Sequence, residues 1–122
     1  MKELMSRFVL LEHTGHPDDP VGRHFDLLLE QPDACETWRL TDIPRVEGPA
    51  VAATQLPKHR LIWLDRLEGE VSGGRGFARR VDSGSYVYLN TTSVNEERVV
   101  ELTGETISGV LRITKTEACL SQ

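Results

Sequence analysis

The stretch RHFDLLLE, residues 23–30, alternates polar and apolar side chains over its first half, and this pattern predicts a half-buried β-strand. Side chains two positions apart on a strand share a face. His24 and Asp26 are therefore expected to project together, opposite Phe25 and the leucines at positions 27 and 29. An imidazole and a carboxylate side by side on a rigid strand can bind a metal ion or share a proton. This strand is predicted to carry a functional site on one face and a core on the other.

Other short segments with strand composition follow one another along the chain, separated by turns rich in glycine and proline. The predicted strands are 7–12, 23–30, 36–40, 50–54, 75–81, 85–90, 98–102 and 106–114, with a further apolar run at 61–64. Ser83-Gly84 is expected to form a tight turn and Gly109 a bulge. At 92–99 a weak helix-capping pattern competes with a hairpin connection. Many short strands favour an antiparallel sandwich or small barrel, mainly β with little helix.

Length and composition are those of an ordinary globular protein. The 122 residues, 39% hydrophobic and 27% charged, suffice for one domain with one core, so residues 1–122 are predicted to form a single domain. No apolar run approaches the roughly 20 residues that a membrane-spanning helix needs, and no signal peptide is visible. Cys35 and Cys119 lack metal-ligand spacing and are interpreted as free thiols. A cytoplasmic protein that does not contact membranes is expected.

The distribution of charge limits the kind of nucleic-acid partner. A net charge of −5 argues against a protein that coats nucleic acid, because phosphate contacts need Lys and Arg. Eleven of the fourteen basic residues precede Ser83, and Arg75, Arg79 and Arg80 lie within six positions. A small basic cleft on an acidic body suits a phosphate end better than a long duplex.

A second histidine is expected to join the pair on the 23–30 strand. His13 ends the first predicted strand, and antiparallel pairing of the first two strands would bring it near His24 and Asp26. Two imidazoles and one carboxylate with open positions form a facial site for Mn²⁺, Fe²⁺ or Zn²⁺. A structural salt bridge is the competing interpretation. His16 is expected in solvent, and His59 either at a strand edge or as an acid beside the site.

The order of these motifs resembles the 3′-phosphoesterase domain of bacterial DNA ligase D. That family shows a first strand ending in His, an H-Y-D-F-R-L-E strand, a tryptophan strand, a D-H-P segment and an E-G turn. The resemblance covers roughly residues 7–90. Its segments here are FVLLEH (8–13), HFDLLLE (24–30), TWRL (37–40), KHRL (58–61), LEGEV (67–71) and DSGSY (82–86).

The resemblance implies a compact β-barrel that heals DNA 3′ ends. Such domains remove a terminal 3′-ribonucleoside and hydrolyse the remaining 3′-phosphate, with Mn²⁺ as the preferred ion. By position, His13, His24 and Asp26 correspond to the metal ligands. His59 corresponds to a histidine that contacts the scissile phosphate and acts as a general acid.

The chain departs from this family at three positions. Leu28 replaces an arginine on the face of the His-Asp pair, Val51 replaces a second arginine, and Trp63 replaces a tyrosine. Each lost arginine removes charge-assisted hydrogen bonds worth about 1.5–3 kcal/mol.

Other groups are candidates to replace the lost arginines. Three of them are Arg60, Arg75 and Arg79. The backbone N–H groups near Gly73-Gly74 could also approach an anion, although a flexible hairpin explains the same glycines.

The sequence supports three hypotheses. The first is a monomeric, metal-dependent phosphoesterase acting on DNA 3′ ends in DNA repair, with a ligase or polymerase supplied in trans. The second is a non-catalytic module that keeps the barrel, has lost the phosphate clamp, and binds nucleic-acid ends or protein. The third is a structural β domain whose His-Asp pair is only a salt bridge.

Overall fold

The computed structural model describes residues 6–17, 19–71, 73–89 and 97–122. Within these residues the chain forms nine β-strands and one 3₁₀ helix. They are β1 (Ser6–His16), β2 (Asp19–Glu30), β3 (Cys35–Leu40), β4 (Val51–His59), the 3₁₀ helix (Leu61–Leu64), β5 (Glu68–Glu70), β6 (Phe77–Tyr88), β7 (Arg98–Gly104), β8 (Ser108–Ile113) and β9 (Glu117–Ser121). This described part of the chain includes no helix long and apolar enough to cross a membrane.

One antiparallel sheet contains all nine strands, in the order β1-β2-β3-β4-β9-β8-β7-β6-β5. Strand β1 also pairs with β6, and this pairing closes eight of the strands into a ring. Strand β5 lies outside the ring, on the edge of β6. The predicted fold class, mainly β and antiparallel with little helix, is confirmed.

Several local predictions are corrected by the strand register. Ser83-Gly84 is not a turn, because β6 runs through it and Gly84 pairs with Phe8 on one side and Gly104 on the other. A Cβ atom at Gly84 would overlap the Thr103 carbonyl, so the glycine permits close strand approach. The β7–β8 register passes through Gly109 without a bulge.

The remaining differences concern short elements. The apolar run at 61–64 forms the 3₁₀ helix, and strands β5 and β9 were not predicted. Most of the segment 92–99, where a helix and a hairpin were both considered, lies outside the described residues.

Two apolar clusters lie on opposite faces of β1 and β2. The inner cluster fills the ring and includes Phe8, Leu10, Phe25, Leu27, Leu29, Trp38, Leu40, Val100, Leu111 and Ile113. The outer cluster consists of Val9, Leu11, Leu28, Cys35, Leu64 and Ala78, and the 3₁₀ helix covers it through Leu64. Both strands are therefore buried on two sides. This double burial explains the continuous apolar runs at 8–11 and 27–29. A strand buried on one face only would alternate apolar and polar residues.

Asp82 ties β6 to the turn between β7 and β8. Its side chain is buried and accepts hydrogen bonds from the backbone N–H groups of Ser83, Glu105, Thr106 and Ile107, at 2.8–3.2 Å. A carboxylate with four donors is well compensated for its burial.

We expect Asp82→Ala to lower the free energy of unfolding by about 3 kcal/mol or more, because it leaves several backbone donors without their charged acceptor. Urea denaturation followed by circular dichroism measures this. Asp33→Ala, at an exposed turn position, is the control and should change stability by less than about 0.5 kcal/mol. Equal stability of the two variants would contradict the role given to Asp82.

Candidate metal centre

The β1–β2 register brings His13, His24 and Asp26 together on the outer face of the sheet. His13 lies directly opposite His24, and Asp26 lies opposite Leu11. Opposite residues in an antiparallel pair share a face. All three polar side chains therefore lie on the outer face, next to one end of the outer apolar cluster. The sequence pattern predicted this proximity, and the structure brings the three residues together as expected.

One nitrogen or oxygen atom from each residue converges on a common point. His24 Nε2 lies 3.0 Å from His13 Nδ1, and His13 Nδ1 lies 3.3 Å from Asp26 Oδ2. Ligand atoms bound about 2.1 Å from one ion would be separated by roughly 3.0–3.4 Å in octahedral or tetrahedral geometry. The observed spacing therefore fits a single divalent ion.

The backbone of the glycine-rich turn fixes the orientation of His13. His13 Nε2 lies 2.6 Å from the carbonyl oxygen of Arg75. Because a carbonyl oxygen only accepts, Nε2 is the donor, and Nδ1 is turned towards His24 and Asp26. Metal-binding histidines commonly hold their second ring nitrogen in this way.

The cluster is buried, and one of its oxygen atoms has no hydrogen bond. His13, His24 and Asp26 are 6%, 8% and 3% exposed. Asp26 Oδ1 is buried without a hydrogen-bond partner, although His24 Nε2 lies 3.5 Å from it. An unsatisfied buried carboxylate oxygen is costly, and a cation between these atoms would satisfy it. The residues present therefore fit a divalent metal ion.

The two histidines are expected to differ in protonation. Burial lowers the pKa of His24 to about 4, so its ring is neutral near pH 7. The hydrogen bond to Asp26 raises the pKa of His13 above its usual value, because a proton on Nδ1 is donated to the carboxylate. A proton on His13 therefore partly offsets the charge of Asp26 and is held more tightly than on an ordinary histidine.

Two residues near the cluster were not assigned to it from the sequence. His16 was expected in solvent but is partly buried, and its ring centre lies 5.5 Å from that of His13. Arg39 on β3 pairs directly with Asp26. Trp38 and Leu40 are buried in the inner cluster, so Arg39 between them lies on the outer face. The alternation of apolar and polar residues in TWRL already indicated this orientation.

His59 does not join the other three residues. It ends β4 opposite Cys35, and its Nδ1 donates to the Pro57 carbonyl at 3.1 Å. The part of β4 that is level with Asp26 lies five residues earlier, about 15 Å away along the strand. Leu28 and Thr37, both fully buried, occupy the intervening surface. The predicted contact of His59 with the same phosphate finds no support in this arrangement.

The arginines proposed as replacements differ in position. Arg79 pairs with Glu12 at 3.0 Å, on the side of β1 away from His13. Arg60 is exposed at the start of the 3₁₀ helix. Arg75 contributes its backbone carbonyl to His13.

The three residues at which the chain departs from the ligase D pattern all pack against apolar clusters. Leu28 is fully buried in the outer cluster. Val51 packs against the inner cluster, and Trp63 packs against the outer cluster with the Arg66 guanidinium 5.2 Å from its ring centre.

A cavity of about 520 Å³ adjoins the glycine-rich turn. Its walls include Thr14, Gly73, Gly74, Gly76 and Phe77. The three glycines have positive φ, which suits glycine best. The cavity lies beside the turn whose Arg75 carbonyl binds His13, but His13, His24 and Asp26 are not among the residues that line it.

Comparison of the chain with protein-family models gives no match, and comparison with curated proteins gives none either. The resemblance to the ligase D phosphoesterase domain stays a prediction from the sequence. A functional assignment of the chain therefore depends mainly on the geometry of the cluster.

We expect one Co²⁺ or Mn²⁺ ion to bind per chain, and His24→Ala to weaken binding at least 100-fold, because one of three ligands is lost. Isothermal titration calorimetry measures this. His59→Ala is the matched control and should bind the ion as the wild type does. A wild-type protein that binds no divalent ion would favour the structural salt bridge instead.

Metal affinity should fall as the pH is lowered, because the ion and a proton compete for His13 Nδ1. The raised pKa of His13 makes this proton the main competitor near neutral pH, whereas His24, with a pKa of about 4, is already neutral. At about pH 6, below the ordinary histidine pKa, about one proton should be released per ion, and fewer as the pH rises through the raised pKa of His13. Calorimetry in two buffers of different ionisation enthalpy counts the protons, and a count near zero at about pH 6 would contradict this assignment.

Proposed function

We propose that this protein is a divalent-metal-dependent phosphoesterase that acts on DNA 3′ ends in DNA repair, with His13, His24 and Asp26 as the metal ligands. The observation that supports it most is the convergence of these three side chains, with a buried carboxylate oxygen left without a hydrogen bond. The motif order that resembles the ligase D domain supplies the reaction and favours Mn²⁺.

The chemistry divides between the ion and the chain. A divalent ion supplies Lewis-acid polarisation of a phosphoryl oxygen and activation of water. His13, His24 and Asp26 hold it on two directly paired strands, so their positions are fixed before it binds. The Arg75 carbonyl keeps His13 in one orientation, and burial strengthens each electrostatic interaction.

The charge of the molecule favours a small phosphate end as substrate. The net charge is −5, and a protein that tracks long nucleic acid needs many cations. A 3′ end is recognised by its phosphate and sugar, which requires few contacts. A monomer in the cytoplasm, with ligase and polymerase activities supplied by partners, belongs to the same proposal.

A non-catalytic end-binding module is the second candidate, and Leu28 favours it. The resemblance places a phosphate-binding arginine there, whereas Leu28 is fully buried beneath Leu64. The distance of His59 from the cluster points the same way, because the histidine that the resemblance expects as the general acid does not lie beside it.

The deciding experiment combines the protein, Mn²⁺ and a primer-template with a 3′-terminal ribonucleotide or a 3′-phosphate. We expect conversion to a 3′-hydroxyl end by the wild type and at least 100-fold slower conversion by His24→Ala. Electrophoresis of the labelled primer detects the product. His59→Ala should retain activity if the cluster alone performs the reaction.

Binding without conversion would give the opposite answer. If fluorescence anisotropy shows that the Mn²⁺-loaded wild type binds the 3′-phosphate end and no product forms, the phosphoesterase proposal is wrong. The end-binding module would then be the better description.

A further inference from the structure

Arg39 occupies the position across the strand from Asp26. In the β2–β3 register these two residues are direct partners, so they share the outer face of the sheet. Trp38 and Leu40, on either side of Arg39, are buried in the inner cluster. Arg39 therefore flanks the cluster on β3, while Arg75 and the glycine-rich turn lie on the β1 side.

The hydrogen-bonding capacity of Arg39 is not used within the described chain. Its Nε is buried without a hydrogen-bond partner. None of the ion pairs between described residues includes Arg39, although Arg7, Arg23 and Arg79 each pair with a carboxylate. A partly buried guanidinium without a partner is costly, and an external anion would compensate it.

Arg80 is a weaker candidate, although its Nε is also buried without a partner. Its Nη2 donates to the Leu64 carbonyl at 2.9 Å, which anchors the 3₁₀ helix. In the register, Arg80 lies opposite Leu11, with β1 between it and Asp26.

The charge of Arg39 acts on the cluster. Burial is the main cause that lowers the pKa of His24, and the positive charge of Arg39 lowers it further. At His13 the same charge opposes the rise in pKa caused by the hydrogen bond to Asp26. With a divalent ion bound, the ion, Asp26 and Arg39 would carry a formal charge of about +2, which matches a phosphate dianion.

We propose that Arg39 is the phosphate-binding cation of this centre, and that its guanidinium donates to an oxygen of the phosphoryl group held at the His13–His24–Asp26 cluster. The inference rests on the proposed function and deepens it. The resemblance expects a phosphate-binding arginine at the position of Leu28, which is buried. The inference assigns that role to Arg39 on the neighbouring strand, beside Asp26.

Binding of inorganic phosphate to the Co²⁺-loaded protein tests this without turnover. The visible absorption of bound Co²⁺ reports both metal loading and the arrival of an anion. We expect Arg39→Gln to raise the dissociation constant for phosphate about 10- to 100-fold, the range for a lost charge-assisted hydrogen bond. Affinity for Co²⁺ should not fall, because Arg39 is not a ligand and its positive charge opposes a cation at the cluster.

Two further variants separate charge from structure. Arg39→Lys keeps the charge and should recover part of the phosphate affinity. Arg23→Gln is the matched control, since Arg23 is an exposed arginine on β2 paired with Glu12, and it should bind phosphate as the wild type does. If Arg39→Gln does not fold, Arg39→Met, which retains the length of the side chain, takes its place.

The failures are distinguishable. Unchanged phosphate affinity in a Co²⁺-loaded Arg39→Gln or Arg39→Met protein would overturn the role of Arg39 and leave the metal centre intact. A wild-type protein that binds no Co²⁺ would overturn the metal centre and this inference with it.

Discussion

Burial of β1 and β2 on both faces is the constraint on which the rest of the structure depends. Closure of the ring through β1–β6 pairing buries the inner face, and the 3₁₀ helix buries much of the outer face. Polar side chains within the packed part of these strands are therefore removed from water. Three of them, from His13, His24 and Asp26, lie at one end of the outer face, where their interactions are much stronger than at a solvated surface. The same packing that stabilises the ring leaves Asp26 Oδ1 buried without a hydrogen bond.

The outer face changes from apolar to polar over a short distance. Val9 and Leu28 pair beneath Leu64, and two positions further along each strand the register reaches Leu11 and Asp26. Packing of the apolar part holds the two strands in place. The polar part lies on the same strands and is held in place with them. Because Leu28 belongs to the apolar part and is fully buried, a cation at its position would lose its hydration. The neighbouring strand offers Arg39 at the level of Asp26 instead.

The sequence predicted the features that depend on local alternation. The shared face of His24 and Asp26 follows from a period of two, and the approach of His13 needs only antiparallel pairing of consecutive strands. The features that it did not predict depend on the exact register of a hairpin or on pairing between distant segments. Arg39 meets Asp26 only because the turn at 31–34 sets the β2–β3 register. The continuity of β6 through Gly84 depends on two partner strands that approach from opposite sides.

His59 shows how one irregularity redirects a side chain. The β3–β4 register shifts between the pairs Thr37–Leu56 and Cys35–His59, so β4 contains an extra residue near Pro57. Without this bulge, His59 would share the face of Ala53, which is buried in the inner cluster. With it, His59 reaches the outer face, but beyond Leu28 and Thr37.

The cluster also carries an energetic cost. Asp26 Oδ1 is buried without a hydrogen bond, and the three side chains lie on directly paired strands that cannot move apart without disturbing the β1–β2 ladder. A structural salt bridge would be expected to satisfy that oxygen, since buried ion pairs stabilise a fold only when their remaining acceptors are used. Local departures of this kind are typical of functional sites, where stability is exchanged for a preorganised arrangement. Asp26, with its unsatisfied oxygen, and Arg39, with its unpartnered Nε, are directly paired residues of β2 and β3, and a metal ion with a bound phosphate would satisfy both.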